Sequence, residues 1–337
     1  MKVLTDYHHG DLYYSLHCLF EKRLDFELYS VIGHEWAEEY WDIHIQQNDD
    51  MVLKQFLGYD NYEHYITKHN RKIDDVYYYW NIRHHYYRKC ITLDTFKNME
   101  FDIILPSHHR HYYKWKEMQE KYQPKAKTIL HVGNVERNDN TDYVIRSVPF
   151  RGTCKSQVLV NQEIDGNIYK YIPVNEKTKK ITSVTSGGGK FADKFYEYKK
   201  LLNECEFKFF GVDNPDGVLT LHELAKEMQK SNIGWSLKTY GGLGHSNMGW
   251  MHSGRPIITN LSEHRILGEL ATQLFEDNIT CIDIDRRTAH ENSQIIRKWM
   301  EPEFSNKKSV QCIKRYNELV NHENEANEVI KFLGNIL

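Results

Sequence analysis

Short apolar segments alternate with segments of helical periodicity along most of the chain. A strand is predicted over residues 2–7, and the helix that follows has its leucines near helical spacing and Asp11 at its predicted N-cap. The apolar run that ends at Pro106 is typical of a buried parallel strand. This alternation predicts an α/β protein with doubly wound, Rossmann-like sheets.

The alternation loosens before residue 180 and then restarts, which predicts two Rossmann-like lobes. Gly166, Pro173 and a lysine cluster mark the loose segment as a linker. Ligands bind at the carboxyl ends of parallel strands, so two such lobes predict an interlobe cleft. The expected division is a first lobe over 1–165, a linker over 166–180, a second lobe over 181–318 and a C-terminal helix over 319–337 that packs back on the first lobe.

One stretch fits this pattern poorly. From residue 34 to about residue 89 the chain is polar and aromatic, and we expect it to form helices.

Composition narrows the class of protein. A chain of 337 residues with a formal net charge of -3 fits two globular domains and has no global positive field for nucleic acid. The cysteines are widely spaced, which indicates reduced core thiols rather than a zinc or disulfide scaffold. The chain also has no long apolar run and no signal-peptide pattern, so we expect a cytoplasmic protein without a membrane span.

Two glycine-rich segments are candidate phosphate sites. Gly187, Gly188 and Gly189 follow a predicted strand and precede a helix, with Lys190 and Lys194 close behind. No Walker loop is present, and a plain turn with solvated lysines is the alternative.

The second glycine-rich segment, YGGLGHSNMGWMHSG, leads into a short helix. The amides of its first turn could bind a phosphate. An ordinary turn before a helix is the alternative. The candidate donor-binding residues here are Gly244, His245, Ser246, Asn247 and Met248.

Three segments, taken in order, resemble motifs of GT-B glycosyltransferases. MHSGRPIITN resembles the helix and strand near their donor site, NQEIDGNIYKYIP resembles a segment before their second lobe, and VTSGGGKFADK resembles their donor-phosphate loop. The resemblance implies a transferase that binds a nucleotide-sugar, a UDP-sugar first of all, as co-substrate on the second lobe. It implies no other cofactor.

The chain departs from the GT-B pattern at three positions that are charged in many members. Gly241 and Gly249 stand where many retaining members carry a pair of glutamates, the second of which holds the ribose. His245, Ser246 or Asn247 could replace that contact. Gly189 stands where members often carry an arginine, which leaves Lys190 and Lys194 to neutralise the diphosphate.

Histidines follow two predicted strands of the first lobe. His8 and His9 follow the first strand, and His108 follows the strand before Pro106. A neutral histidine at such an edge could deprotonate an acceptor hydroxyl or hydrogen-bond the sugar, and a loop or capping role is the alternative. Neither H-x-x-x-H nor His–carboxylate spacing supports a metal site.

Two clusters interleave cations with aromatic residues, a pattern that could hold an acceptor carrying phosphates. Helices with solvated faces are the alternative. If the clusters bind DNA, the acceptor is a hydroxymethylated base, by similarity to phage DNA glucosyltransferases of the GT-B class. The acceptor candidates are Arg83, Arg88, Lys89, Arg110, Lys114 and Lys116.

The sequence therefore predicts a glycosyltransferase acting on a hydroxyl acceptor. Two alternatives stay open: a nucleotide-sugar epimerase of the same shape, and an inactive protein that binds sugar nucleotides or nucleic acid.

Overall fold

The chain divides into two compact units. Unit 1 comprises residues 1–163 and 322–337, and unit 2 comprises residues 164–321. The structure is a computed structural model. It describes residues 1–6, 10–32, 60–61, 64, 68, 71–81, 84–107, 111–133, 137–174, 177–184, 192–211, 214–237, 245–263 and 273–337, with backbone alone at residues 10 and 11.

Unit 1 is built on a mostly parallel sheet. Within the described residues its strand order is β3-β4-β5-β2-β1-β6-β7, and β3 and β4 join in antiparallel fashion at one edge. The strands are β1 (Lys2–Thr5), β2 (Glu27–Ile32), β3 (Arg71–Ile73), β4 (Val76–Asn81), β5 (Tyr86–Thr92), β6 (Ile103–Leu105) and β7 (Lys127–Thr128).

Three further parallel strands extend this arrangement: β8 (Leu130–Val132), β9 (Tyr143–Arg146) and β10 (Ser156–Leu159). Backbone hydrogen bonds of 2.9 Å run from Ile129 N to Ile104 O and from His131 N to Pro106 O. These bonds place β8 beside β6, so the carboxyl ends of β1, β6 and β8 lie along one edge.

The helices of unit 1 cover both faces of its sheet. They are α1 (Gly10–His17), which continues as a π-helical turn over Cys18–Arg23, α2 (Leu93–Asn98), α3 (Tyr112–Tyr122) and α9 (His322–Gly334). Because α1 already begins at Gly10, the prediction that Asp11 is its N-cap is wrong.

Residues 60, 61, 64 and 68 of the stretch expected to be helical are helical, but from residue 71 onward the stretch is instead a β-meander. Strands β3, β4 and β5 pair through turns in which Asp74 and His85 adopt left-handed φ values of 53° and 54°. Tyrosine, tryptophan and β-branched side chains pack well on a pleated surface, and they fill β4 and β5. Tertiary pairing therefore overrides the helix prediction here; most of residues 34–70 lie outside the described residues.

Unit 2 is a parallel sheet flanked by helices, with strand order β12-β11-β13-β14-β15. Together with unit 1 it confirms the predicted α/β class. Its strands are β11 (Lys180–Ser183), β12 (Glu206–Phe209), β13 (Ile233–Trp235), β14 (Ile257–Thr259) and β15 (Cys281–Asp283). Its helices are α4 (Ala192–Leu201), α5 (Leu221–Lys230), α6 (His245–His252), α7 (Ala289–Trp299) and α8 (Pro302–Leu319).

The segment expected to be a linker lies along unit 2. The Tyr169 carbonyl accepts hydrogen bonds from His252 Nδ1 at 2.8 Å and from Ser253 Oγ at 3.1 Å. The fully buried Arg255 donates to the carbonyls of Ile172 and Gln229, and its burial lowers its pKa to about 10. These bonds make residues 164–172 part of unit 2.

No helix in the described part of the chain is long and apolar enough to cross a membrane.

Candidate functional site

A buried hydrogen-bond chain fixes the start of α6 at the carboxyl edge of the unit 2 sheet. Ser236 follows β13, and its Oγ donates to Asn247 Oδ1 at 2.6 Å. Thr259 ends β14, and its Oγ1 donates to the Ser236 carbonyl at 2.7 Å. All three side chains are buried. The first turn of α6 is thereby held against the ends of two neighbouring strands.

Gly234 brings α6 close to the sheet. A Cβ at this position would lie 2.6 Å from the ring of Trp250, a fully buried side chain of α6. Only glycine lets the indole rest directly on β13. This contact and the Ser236–Asn247 bond lie about one turn apart on the helix, and together they hold α6 against the sheet.

Two of the predicted donor-binding residues on α6 are anchors rather than open contacts. Asn247 and Met248 are buried, whereas His245 and Ser246 are only partly buried at the helix entrance. A ligand at this entrance would therefore meet His245, Ser246 and the amides of the first turn. Gly244 lies outside the described residues.

The other predicted phosphate segment is described only in part. Lys194 lies on α4, where its Nζ forms an exposed ion pair with Glu197 at 3.0 Å. Exposed pairs of this kind contribute about 0–1 kcal/mol, so Lys194 can leave it at little cost. The remaining predicted residues, Gly187, Gly188, Gly189 and Lys190, lie outside the described residues.

The structure gives a physical reason for glycine at position 249. Gly249 is buried in α6, and a Cβ there would lie 2.8 Å from the ring of Tyr169. The tyrosine thus occupies the space that a glutamate side chain would need. Because its carbonyl is bound by His252 and Ser253, Tyr169 is held firmly in this place.

A buried carboxylate lies at the carboxyl edge of the unit 1 sheet. Asp6 follows β1, and its Oδ1 accepts a hydrogen bond from Ser107 N at 2.5 Å. Its Oδ2 lies 3.8 Å from Nδ1 of His111, which precedes α3. Asp6 therefore binds Ser107 and lies near His111, the described residues on either side of residues 108–110.

A serine and a histidine meet beside this carboxylate. Ser107 follows β6, His131 lies in β8, and Ser107 Oγ is 2.8 Å from His131 Nδ1. Both residues are buried. This pair fixes the ends of β6 and β8 relative to each other. His8, His9 and His108 lie outside the described residues, so their catalytic roles stay predictions.

The buried polar residues that form hydrogen bonds at the carboxyl edges of the two sheets were not identified from the sequence. Ser236, Thr259 and His131 lie at or just after strands read correctly from their apolar runs. A polar residue at the end of a buried strand was the available signal. In the sequence, such a residue could equally have been a solvated loop position.

The predicted acceptor residues fall into different environments. Arg88 is nearly buried in β5, where its Nε donates to Cys90 Sγ at 3.1 Å. Lys89 donates to Glu21 at 2.7 Å. Burial alone would raise the pKa of Glu21, but hydrogen bonds from His17 and Lys89 lower it.

Lys114 and Lys116 lie exposed on α3, and neither forms an ion pair within the described residues. Tyr113 beside them is 61% exposed. These side chains make an open cationic and aromatic surface. Arg83 and Arg110 lie outside the described residues.

Among the described residues, no group of three or more His, Cys, Asp or Glu side chains is placed to hold a metal ion.

The chain, with two units that each contain a parallel sheet, shares its fold with solved GT-B glycosyltransferases. The chain is similar over 98% of its own length and 98% of the other chain to TarM, at 10% identity and a TM-score of 0.61. It is similar to Anabaena Alr3699/HepE in complex with UDP and glucose, with 99% of each chain covered, 10% identity and a TM-score of 0.62.

A glycosyltransferase from Rickettsia africae has a TM-score of 0.61 to this chain at 9% identity, with 99% of this chain and 98% of that chain covered. These likenesses confirm the predicted fold. No protein-family model matches the chain, and no curated protein matches its sequence.

Proposed function

We propose that the protein is a glycosyltransferase that moves a sugar from a nucleotide-sugar, a UDP-sugar first of all, to a hydroxyl acceptor. One observation carries the proposal: a structure of the same fold over almost its whole length is a complex with UDP and glucose. The candidate donor site in this chain is the fixed entrance of α6 at the carboxyl edge of unit 2.

The donor would bind at that entrance. The first-turn amides of α6, together with His245 and Ser246, offer hydrogen-bond donors to a diphosphate. Lys194 and Lys190 would supply the positive charge that stabilises the departing nucleoside diphosphate. The bond between the anomeric carbon and the diphosphate breaks, and a bond from that carbon to the acceptor oxygen forms.

The acceptor chemistry would take place at the carboxyl edge of unit 1. One of the histidines that follow Asp6 and Ser107 in the sequence, His8, His9 or His108, would take the acceptor proton or hydrogen-bond the sugar. Asp6 supports this assignment because it binds Ser107 N and lies 3.8 Å from His111, the described residues on either side of residues 108–110.

The narrower proposal for the acceptor is a hydroxymethylated base in DNA. Its support is the open surface of Tyr113, Lys114 and Lys116 on α3, a helix that follows His108 closely in the sequence. Phosphates would meet the lysines, and an unstacked base would lie on the tyrosine. Sugar transfer to hydroxymethylated DNA, followed by mass spectrometry of the nucleosides, tests this acceptor.

A thermal-shift titration with UDP tests the donor assignment. UDP should raise the melting temperature of the wild-type protein, and the double variant Lys190→Ala/Lys194→Ala should need about tenfold more UDP for the same shift. The matched control is Lys199→Ala/Lys200→Ala, which removes two exposed lysines of α4. Equal UDP-induced thermal shifts in the two double variants would show that Lys190 and Lys194 do not contribute to donor binding.

Product analysis separates the proposal from its alternatives. A transferase releases UDP when a hydroxyl acceptor or water is present, whereas an epimerase returns an isomeric UDP-sugar and a binding protein returns the donor unchanged. Release of UDP supports the proposal, and either other result contradicts it.

A further inference from the structure

The β-meander of unit 1 forms a ribbon of cations and aromatic rings. Strands β3, β4 and β5 carry the sequences RKI, VYYYWN and YYRKCIT, which contain four cations and no acidic residue. Of the four cations, Arg88 is nearly buried and Lys89 is paired with Glu21. Arg71 and Lys72 are exposed, and within the described residues neither forms an ion pair.

Each exposed cation rests on tyrosine rings. The register pairs Arg71 with Tyr78 and Lys72 with Tyr77, so the two pairs lie on opposite faces of the ribbon. The Arg71 guanidinium lies 5.1 Å from the ring centroid of Tyr78 and 4.8 Å from that of Tyr87. Lys72 Nζ lies 4.9 Å from the centroid of Tyr77. Cation–π contacts at these distances fix the charges in place.

The aromatic surface continues along β4. Tyr77 stacks on Tyr79 with centroids 6.4 Å apart, and Trp80 meets Tyr87 edge-on at 4.8 Å. Residues 76–81 are all half-buried, so their rings are partly accessible. Each face of the ribbon thus presents aromatic rings and one exposed, fixed positive charge along the six residues of β4, about 20 Å of extended chain.

This chemistry favours nucleic acid over a sugar polymer. Sugar hydroxyls need carboxylate or amide partners, and the ribbon provides these only at Asn81 and, in the β3–β4 turn, at Asp74 and Asp75. Phosphates need cations, and bases need aromatic rings; the ribbon provides both. An unpaired strand suits it better than a duplex, because bases stack on side chains only when they are unstacked from each other.

We propose that the β3–β5 ribbon binds a single-stranded segment of nucleic acid. Strand β5 runs parallel to β2, and β4 runs antiparallel to β5, so the start of β4 lies beside the carboxyl end of β5. The β3–β4 turn therefore lies toward the carboxyl edge of the sheet, the edge that carries Asp6. A strand bound along β4 is thereby directed to the edge of the proposed acceptor chemistry. This inference rests on the proposed function for its biological role, although its test needs no sugar donor.

Fluorescence anisotropy with a labelled single-stranded oligothymidylate at several salt concentrations tests the proposal. Each lost phosphate contact changes the slope of log affinity against log salt by about 0.7 for single strands. A strand bound on one face of the ribbon meets one of these two cations, so the variant Arg71→Ala/Lys72→Ala should flatten the slope by about 0.7 and bind about fivefold or more weakly at low salt. The control Lys199→Ala/Lys200→Ala has the same charge change on unit 2 and should match the wild type.

Two further measurements keep the outcome interpretable. The UDP-induced thermal shift of the Arg71→Ala/Lys72→Ala variant should equal that of the wild type, which shows that it folds and keeps the donor site. Replacing the oligonucleotide by a heparin oligosaccharide of equal charge should give weaker binding. Equal slopes for the two double variants, or tighter binding of heparin, would overturn the inference, whereas a missing UDP shift in the wild type would contradict the proposed function alone.

Discussion

Asn247 is the residue on which the first turn of α6 most depends. Its buried Oδ1 accepts a hydrogen bond from Ser236 Oγ at 2.6 Å, and the Ser236 carbonyl in turn accepts a hydrogen bond from Thr259 Oγ1. Asn247→Ala removes the acceptor and leaves the serine hydroxyl buried without this partner. We expect a loss of about 1–3 kcal/mol in the free energy of unfolding. UDP affinity should fall about tenfold, because the first-turn amides lose their fixed position.

The control for this variant is Asn203→Ala, which changes an exposed residue after α4. Urea denaturation gives the stability of both variants, and UDP titration gives their affinity. Unchanged UDP affinity in Asn247→Ala would show that α6 does not form the donor site.

Asp277 is a buried carboxylate whose charge stabilises the fold. It accepts hydrogen bonds from Arg287 Nη2 at 2.5 Å, Arg286 Nη1 at 3.2 Å and Asp283 N at 2.9 Å. Burial alone would raise its pKa, but these partners lower it below the ordinary value. A lowered folded-state pKa adds stability above the unfolded pKa, about 3.9, and this stability is lost as the pH falls through the folded value.

Asp277→Asn should therefore cost about 1–3 kcal/mol at pH 7, and the difference from the wild type should shrink steadily below about pH 4. Urea unfolding between pH 3 and pH 7 measures it. Asp75→Asn, at an exposed turn position, serves as the control. A difference that stays constant with pH would show that packing rather than charge explains the loss.

At the scale of elements, alanine substitutions of two glycines, one in strand β13 and one at the end of helix α9, should change stability in opposite directions. Gly234→Ala puts a Cβ 2.6 Å from the buried Trp250 ring and should lower stability by about 1–3 kcal/mol. Gly334→Ala, at the end of α9 with nothing within 4 Å of the added Cβ, should raise stability by about 0.5–1 kcal/mol. Melting temperatures of both variants provide the comparison, and a neutral Gly234→Ala would contradict the close approach of α6 to β13.

The pattern of apolar and polar residues predicts an element well where that element is apolar throughout or has one distinct apolar face. The strands of unit 2 are short apolar runs between amphipathic helices such as α5, whose start is marked by the Thr220–Glu223 capping box. The β-meander had no such signal. Its strands are half-buried and rich in tyrosine, so neither alternation nor helical spacing is clear in VYYYWN.

The ends of the parallel strands could be located from the apolar runs of the sequence, and an α/β fold places a candidate site at such ends. The predicted glycines and the histidines His8, His9 and His108 lie outside the described residues, so their roles stay predictions. The sequence did not show that Asn247 would turn inward to Ser236 or that Tyr169 would lie against Gly249, because both contacts join residues distant in the chain.

At the scale of the whole molecule, unit 1 is completed by the last helix of the chain. Val329, Phe332 and Leu333 of α9 enter the same core as residues of α1 and β1. Arg23 binds Glu163 through its guanidinium and Glu323 through Nε at 2.8 Å, which joins segments separated by 140 and 300 positions. Unit 1 therefore needs both ends of the chain.

Hydrogen–deuterium exchange with and without UDP tests the central claim most directly, because it locates the ligand as well as detecting it. The amides at the start of α6 should exchange more slowly when UDP is bound, since they would donate to its phosphates. Peptides from β9 and β10 of unit 1 should be unchanged and serve as the internal reference. Slower exchange over residues 245–252 at saturating UDP is the predicted result; no change there, or protection confined to unit 1, would contradict the assignment of the donor site.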